Sequence, residues 1–207
     1  IMSTGGEGGM VTTNDEALWK TMWSYKDHGK SWDAIYKREH PPGFRWLHES
    51  FGTNWRMTEM QASIGRIQLT RMNAWTETRQ SYAKQLDKSA SEFELIRLVE
   101  VPKYSSHAEY KHYLFIRPEF LAKGWDRDRI VNEIVAQGIP CFQGSCSEVY
   151  LEKAFDNTGF RPDKRLPNAK ELGATSLMFL VHPTLTQDEI DKTVVVIKQV
   201  IALASKP

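Results

Sequence analysis

Gly52-Thr53-Asn54-Trp55-Arg56-Met57-Thr58-Glu59-Met60-Gln61-Ala62 is the stretch around which the chain is organised. A turn-prone Gly-Thr-Asn run leads directly into a helix start, where Thr58 is placed to cap the helix and Gln61, three residues on, to complete a capping box. The apolar positions beyond it keep a helical period: Met60, Ile64 and Ile67 share one face with Arg71, and Leu69, Met72 and Trp75 extend a neighbouring one. The pattern predicts a long helix from Met57 to about Ser89. Its N-terminus presents an amide, Asn54, and a guanidinium, Arg56. Unpaired N–H groups and the helix dipole suit an anion there. The plainer alternative is a surface loop that caps an ordinary packing helix.

The regions on either side differ in character. On the N-terminal side, Gly5-Gly6-Glu7-Gly8-Gly9 forms a glycine-rich turn whose backbone can approach a ligand or a second chain closely. It has neither the Gly-Lys-Ser/Thr ending of a phosphate loop nor GxGxxG spacing. Met10–Thr13 is expected to be a strand, followed by a helix capped by Asn14 or Asp15 and running to about Tyr25. Asp27-His28-Gly29 ends that helix, with His28 expected as a cap at its C-terminus rather than as a base. From Lys30 to Phe51 the chain is aromatic and proline-broken, which is expected to form an irregular arm. Trp19, Trp23, Trp32, Trp46 and Trp55 all precede the long helix, a density that points to an interface.

On the C-terminal side, strands are expected at Leu95–Val101, His112–Arg117, Ile139–Phe142 and Ser176–Val181. Helices are expected after Asp126 or Asp128 up to Gly138, around Tyr150, Leu151 and Phe155, after Leu166-Pro167, and from a Thr186/Glu189 capping box through Val194, Ile197, Ile201 and Leu203. This succession describes a small α/β sandwich with a sheet covered by helices. His182, before Pro183, is expected to be structural. Cys141 and Cys146 have no neighbouring base that would make either a nucleophile.

The bulk numbers exclude several function classes. The 207 residues are 41% hydrophobic and 26% charged, which suits one large soluble domain or two small ones. A formal net charge of +1 with scattered Lys and Arg argues against nucleic acid or an anionic membrane as partner. No apolar run is long enough to span a bilayer. Two cysteines without metal-type companions indicate a reducing, cytoplasmic compartment, no disulfide framework and no metal site. Ile1-Met2-Ser3-Thr4 is neither an initiator nor a signal peptide, so the chain is expected to begin inside a longer protein.

Three blocks, Gly6–Asp15, Asp27-His28-Gly29 and Gly52–Ala62, together resemble the DegT/DnrJ/StrS-type sugar aminotransferases in order and spacing. His182-Pro183-Thr184-Leu185-Thr186 resembles that family's segment before its last helix. The resemblance covers the whole chain and implies the second half of a fold type I, pyridoxal-phosphate-dependent enzyme. Residues 1–56 would end the large cofactor domain and carry a dimer-interface loop, 57–91 would be the connecting helix, and 92–207 the small C-terminal α/β domain. The implied activity moves an amino group, from glutamate, onto a nucleotide-linked keto-sugar for cell-surface polysaccharide or related amino-sugar synthesis. It implies a homodimer with active sites shared across the interface. Asn54 matches the asparagine that reaches the cofactor phosphate of the neighbouring subunit, and Arg56 the arginine beside it. Glu7 matches an acid of structural role. The lysine that carries the cofactor as a Schiff base is expected just upstream of Ile1. No lysine of this chain stands in its place, so the chain alone is expected to be inactive. A non-catalytic relative, or a dimerisation module that keeps the second half of the fold, is the alternative.

Overall fold

The computed structural model describes residues 2–43, 45–144 and 146–206. The chain divides into two compact units, 1–72 and 73–207. The long helix α3, Glu59–Ala90, contributes its first part to one and its second part to the other.

In the first unit, α1 spans Glu16–Lys26 and begins at Asp15, whose carboxylate accepts the Leu18 N–H at 3.0 Å. Met10–Thr13 is not a strand. No neighbouring strand lies beside it among the described residues to take up its backbone groups, and Met10 is 84% exposed. The arm from Lys30 is also more regular than its composition implies. Ser31 caps a five-residue helix α2, Trp32–Tyr36, and an antiparallel bridge between Lys30 and His48 closes the excursion. Phe44 lies outside the described residues.

The five tryptophans divide into two groups. The Trp32 ring stands 4.9 Å from Trp19 and 5.1 Å from Trp23, edge to face, and 4.1 Å from Tyr36, making a half-buried aromatic cluster between α1 and α2. Trp46 and Trp55 remain exposed, as do Met60, Ile64, Ile67 and Leu69 on α3.

The second unit is built on a four-stranded antiparallel sheet of order β1-β2-β4-β3, with β1 Ile96–Arg97, β2 His112–Ile116, β3 Cys141–Phe142 and β4 Ser176–Phe179. Leu114 pairs with Leu177, and both are fully buried. Helix α4, Arg127–Ala136, starts at the Asp126 cap and delivers Ile130 and Ile134 to the core. The capping box Thr186/Glu189 opens α6, Gln187–Ala204, as its sequence spacing predicts. The buried stripe of α6 is Ile190, Thr193, Val196, Ile197, Val200, Ile201 and Ala204, while Leu203 faces solvent. Leu86 and Ala90 of α3 complete the core. Helix α5, Pro167–Thr175, has proline in its first turn.

Several expected elements are shorter than their sequence pattern, the strands at Ile139–Phe142 and Ser176–Val181 by two residues each and two others by more. The β1 ladder ends after Arg97, whose guanidinium lies 4.5 Å over the Phe115 ring, and Leu98–Val101 line an adjacent cleft. The helix expected around Tyr150 is two separate 3-10 turns, Val149–Leu151 and Lys153–Phe155, broken by extended backbone at Glu152. Their excursion is held by side chains. Glu148 accepts from Arg165 Nε at 2.9 Å and from the Tyr150 hydroxyl at 2.6 Å, and the Tyr150 oxygen accepts the Leu166 N–H at 2.8 Å. Arg165, then Tyr150, hold the Glu148 carboxyl down at about 2.

A buried charge cluster ties α3 to β2. His112 Nε2 stands 3.0 Å from Asp87 Oδ1 in an ion pair whose angle is poor for a hydrogen bond, and Nδ1 lies 3.4 Å from Glu109 Oε2. Burial alone would lower the imidazole pKa, but the two carboxylates outweigh it and raise the value from 6.5 to about 9. A raised cation pKa stabilises the fold fully below pH 6.5 and loses that contribution as pH climbs through about 9. By linkage the loss amounts to about 3 kcal/mol. Urea unfolding should show this decline across the window, and His112→Gln should flatten it. Equal slopes in the two proteins would contradict the assignment.

Candidate anion site before the long helix

The site is assembled by backbone. Helix α1 ends at Asp27, His28 adopts φ 63° and Gly29 φ 82°, and the Gly29 N–H returns to the Ser24 carbonyl at 2.8 Å. This is half of a Schellman ending. The other half is replaced by the stretch that precedes α3. Thr53 donates its N–H to Tyr25 O at 2.7 Å, His28 donates to Thr53 O at 3.1 Å, and Trp55 donates to Lys26 O at 3.0 Å. Asp27 and Asn54 thereby form an antiparallel bridge.

Two glycines make the approach possible. A Cβ on Gly52 would stand 2.4 Å from the Gly29 nitrogen and 2.7 Å from Tyr25 O, and a Cβ on Gly29 would stand 1.8 Å from Ser50 O. His28 thus stands at the C-terminus of α1, as expected, and takes part through its backbone, which donates its N–H to Thr53 O.

The bridge sets Asn54 beside Arg56 and Asp27. Asn54 Oδ1 accepts from both the backbone N–H and the Nε of Arg56, each at 3.4 Å. Arg56 has only donors to offer, so the amide oxygen must face it, and the Asn54 Nδ2 group is left without a partner among the described residues. Arg56 Nε also lies 3.6 Å from Asp27 Oδ1, while the Nζ atoms of Lys30 and Lys26 stand 3.7 and 3.9 Å from the same carboxylate. Asp27 is 7% exposed and its Oδ1 has no hydrogen-bond donor. Among the described residues, Lys26, Lys30 and Arg56 thus stand around this one buried carboxylate.

The helix start itself supplies less than its sequence suggests. The capping box forms, with Thr58 Oγ1 accepting the Gln61 N–H at 3.3 Å and Gln61 Oε1 accepting the Thr58 N–H at 3.2 Å. The N–H groups of Thr58 and Gln61 are therefore already occupied. Gln61 Nε2 also donates to the Glu7 carbonyl at 2.7 Å. The glycine turn therefore meets its own helix, and Glu7 takes part through its backbone.

The remaining candidates lie elsewhere. His182 Nδ1 is 2.7 Å from the Thr184 hydroxyl in a local turn. Burial pushes the Cys141 thiol up to about 12, which removes it as a nucleophile. Cys146 Sγ faces Glu152 at 3.6 Å. Asp27 is the residue that sequence reasoning missed. Its only signal was its place in the Asp-His-Gly ending of α1.

The model of the DegT/DnrJ/EryC1/StrS aminotransferase family matches residues 1–198, including the turn, the α1 ending and the stretch before α3. The chain belongs to this family. Among solved structures, an aminotransferase from Psychrobacter cryohalolentis is 60% identical, covers 98% of this chain and 53% of its own, and superposes with a TM-score of 0.91. The GDP-perosamine synthase of Caulobacter vibrioides is 28% identical over 205 residues, 96% of this chain and 49% of its own length. A putative sugar aminotransferase, Spr1654 of Streptococcus pneumoniae, solved in its PLP form, shares the fold at TM-score 0.69 and 19% identity, over 92% of this chain and 45% of its own. The chain spans about half the length of these family members, and its α/β architecture matches the C-terminal part of such aminotransferases.

The backbone junction can be tested through stability. Gly52→Ala forces two backbone segments apart and should lower the unfolding free energy by roughly 1–3 kcal/mol in urea titrations. Gly9→Ala, where an added Cβ meets nothing within 4 Å, should stay within about 0.5 kcal/mol of the parent. Equal effects at the two positions would contradict the junction.

Proposed function

We propose that this chain is the C-terminal portion of a pyridoxal-phosphate-dependent aminotransferase that moves an amino group from glutamate onto a nucleotide-linked keto-sugar, in amino-sugar or cell-surface polysaccharide synthesis. The observation that carries the reading is the family match across residues 1–198. The activity in the name of the Caulobacter relative, a GDP-perosamine synthase, supports the sugar substrate, and the PLP form of the Streptococcus protein supports the cofactor. In this reading residues 1–56 end the large cofactor domain, 57–91 connect, and 92–207 form the small domain. The Schiff-base lysine then lies outside these 207 residues, and the chain alone is inactive. A cytoplasmic location belongs to the same reading. Among the described residues no helix is long and apolar enough to cross a membrane.

The residues at the junction fit the phosphate end of the cofactor. Asn54 Nδ2 is an unpaired double donor, the terminal nitrogens of Arg56 have no partner among the described residues, and the local charge is positive. When bound, pyridoxal phosphate supplies the electron sink for amino transfer, while the protein supplies orientation and electrostatics. The work of Asn54 and Arg56 is to hold the phosphate oxygens of a neighbouring subunit's cofactor and so fix the ring's position. Exposed Trp46, Phe51, Ile67 and Leu69 support an assembled homodimer around that shared site.

Asn54→Ala, in the protein expressed from its complete coding sequence, tests the assignment. One charge-assisted hydrogen bond is worth roughly 1.5–3 kcal/mol, so cofactor affinity should fall about tenfold to a hundredfold. Sedimentation should still report the parent's assembly. Unchanged affinity would remove Asn54 from the site.

A further inference from the structure

We infer that Asp27 is the positioning residue of the anion site, acting through Arg56 to aim the Asn54 amide. The inference rests on the reading of Asn54 and Arg56 as phosphate ligands and adds to it a residue that need not touch the ligand. The geometry is a relay. Asp27 Oδ1, on a residue more than nine-tenths buried, stands 3.6 Å from Arg56 Nε. That same Nε donates to Asn54 Oδ1, which turns the amide nitrogen away from Arg56. Anchoring Nε leaves the two terminal nitrogens of the guanidinium, and both N–H bonds of the amide, as one outward donor set.

The charge balance gives the relay its direction. Lys26, Lys30 and Arg56 all lie within 3.9 Å of the Asp27 carboxylate, so removing its charge would make the surroundings more positive by one charge. Coulomb attraction alone would then strengthen anion binding. Arg56 is half-exposed, however, so added charge there is screened, whereas the lost anchor releases a flexible side chain and the amide it orients. The inference is that positioning outweighs bulk charge. The backbone bridge between Asp27 and Asn54 does not involve the carboxylate, so Asp27→Asn leaves it intact.

The test compares pyridoxal phosphate with pyridoxal, which lacks the phosphate, in absorbance titrations of the apo-protein expressed from its complete coding sequence. Asp27→Asn should weaken pyridoxal phosphate binding by about tenfold and leave pyridoxal within about twofold of the parent. Equal weakening of both ligands marks a merely structural role and overturns the inference, as does an unchanged or improved preference for the phosphate form. In an Arg56→Gln background, Asp27→Asn should change the preference no further, and a full additional effect there would also overturn the relay. If Asp27→Asn does not fold, Asp27→Glu carries the test. It keeps the charge but displaces the anchor by one methylene and should lower the preference about threefold, an unchanged preference again overturning the inference. Asn54→Ala separates this failure from failure of the site itself. If Asn54→Ala leaves the preference intact, the phosphate assignment fails. If only the Asp27 variants leave it intact, the relay alone fails.

Discussion

The first unit depends on a backbone exchange at the end of α1. Tyr25 and Lys26 carry carbonyls that a helix C-terminus leaves open, and the residues before α3 fill them with the Thr53 and Trp55 N–H groups. Helix propensity alone would have closed this ending within the helix. The exchange requires backbone to meet backbone without side chains between, which is why Gly29 and Gly52 face each other. Everything of chemical interest at Asn54 follows from this junction. An exposed amide on a loop would ordinarily sample many orientations, but here the Asp27–Asn54 bridge sets its backbone and Arg56 sets its side chain.

The second unit works by different physics. Its core is an aliphatic layer between sheet and helices, in which Leu114, Leu177 and Phe179 meet Ile130, Ile134, Ile197 and Ile201. One of its buried polar residues, His112, is tolerated because Asp87 and Glu109 face it from α3 and the preceding loop. Side-chain networks take over where regular structure stops, as at Glu148, Tyr150 and Arg165.

What was legible in the sequence follows the range of each interaction. Helix caps are contacts across three residues, so spacing reveals Thr58 and Thr186 outright and narrows the other two to Asn14 or Asp15 and Asp126 or Asp128, of which Asp15 and Asp126 form. The α6 core stripe and the central strands were legible from periodicity. The Met10–Thr13 strand failed because β-branched composition does not provide a pairing partner, and α2 was hidden because five residues carry too little period to outweigh nearby prolines. At the candidate site, Asn54 and Arg56 were legible as neighbours in one motif. Their dependence on Asp27 was not, because it arises from a pairing distant in sequence. The His112 cluster joins three separate segments for the same reason.

The central claim is that the junction between α1 and α3 presents Asn54 and Arg56 to a phosphate. A crystal structure of the protein expressed from its complete coding sequence, with pyridoxal phosphate bound, tests it most directly. The account predicts Asn54 Nδ2 and an Arg56 terminal nitrogen at about 2.7–3.0 Å from phosphate oxygens of a cofactor held by a neighbouring subunit. A phosphate held wholly by other groups, with both side chains turned to solvent and the Asp27–Asn54 bridge intact, would contradict it.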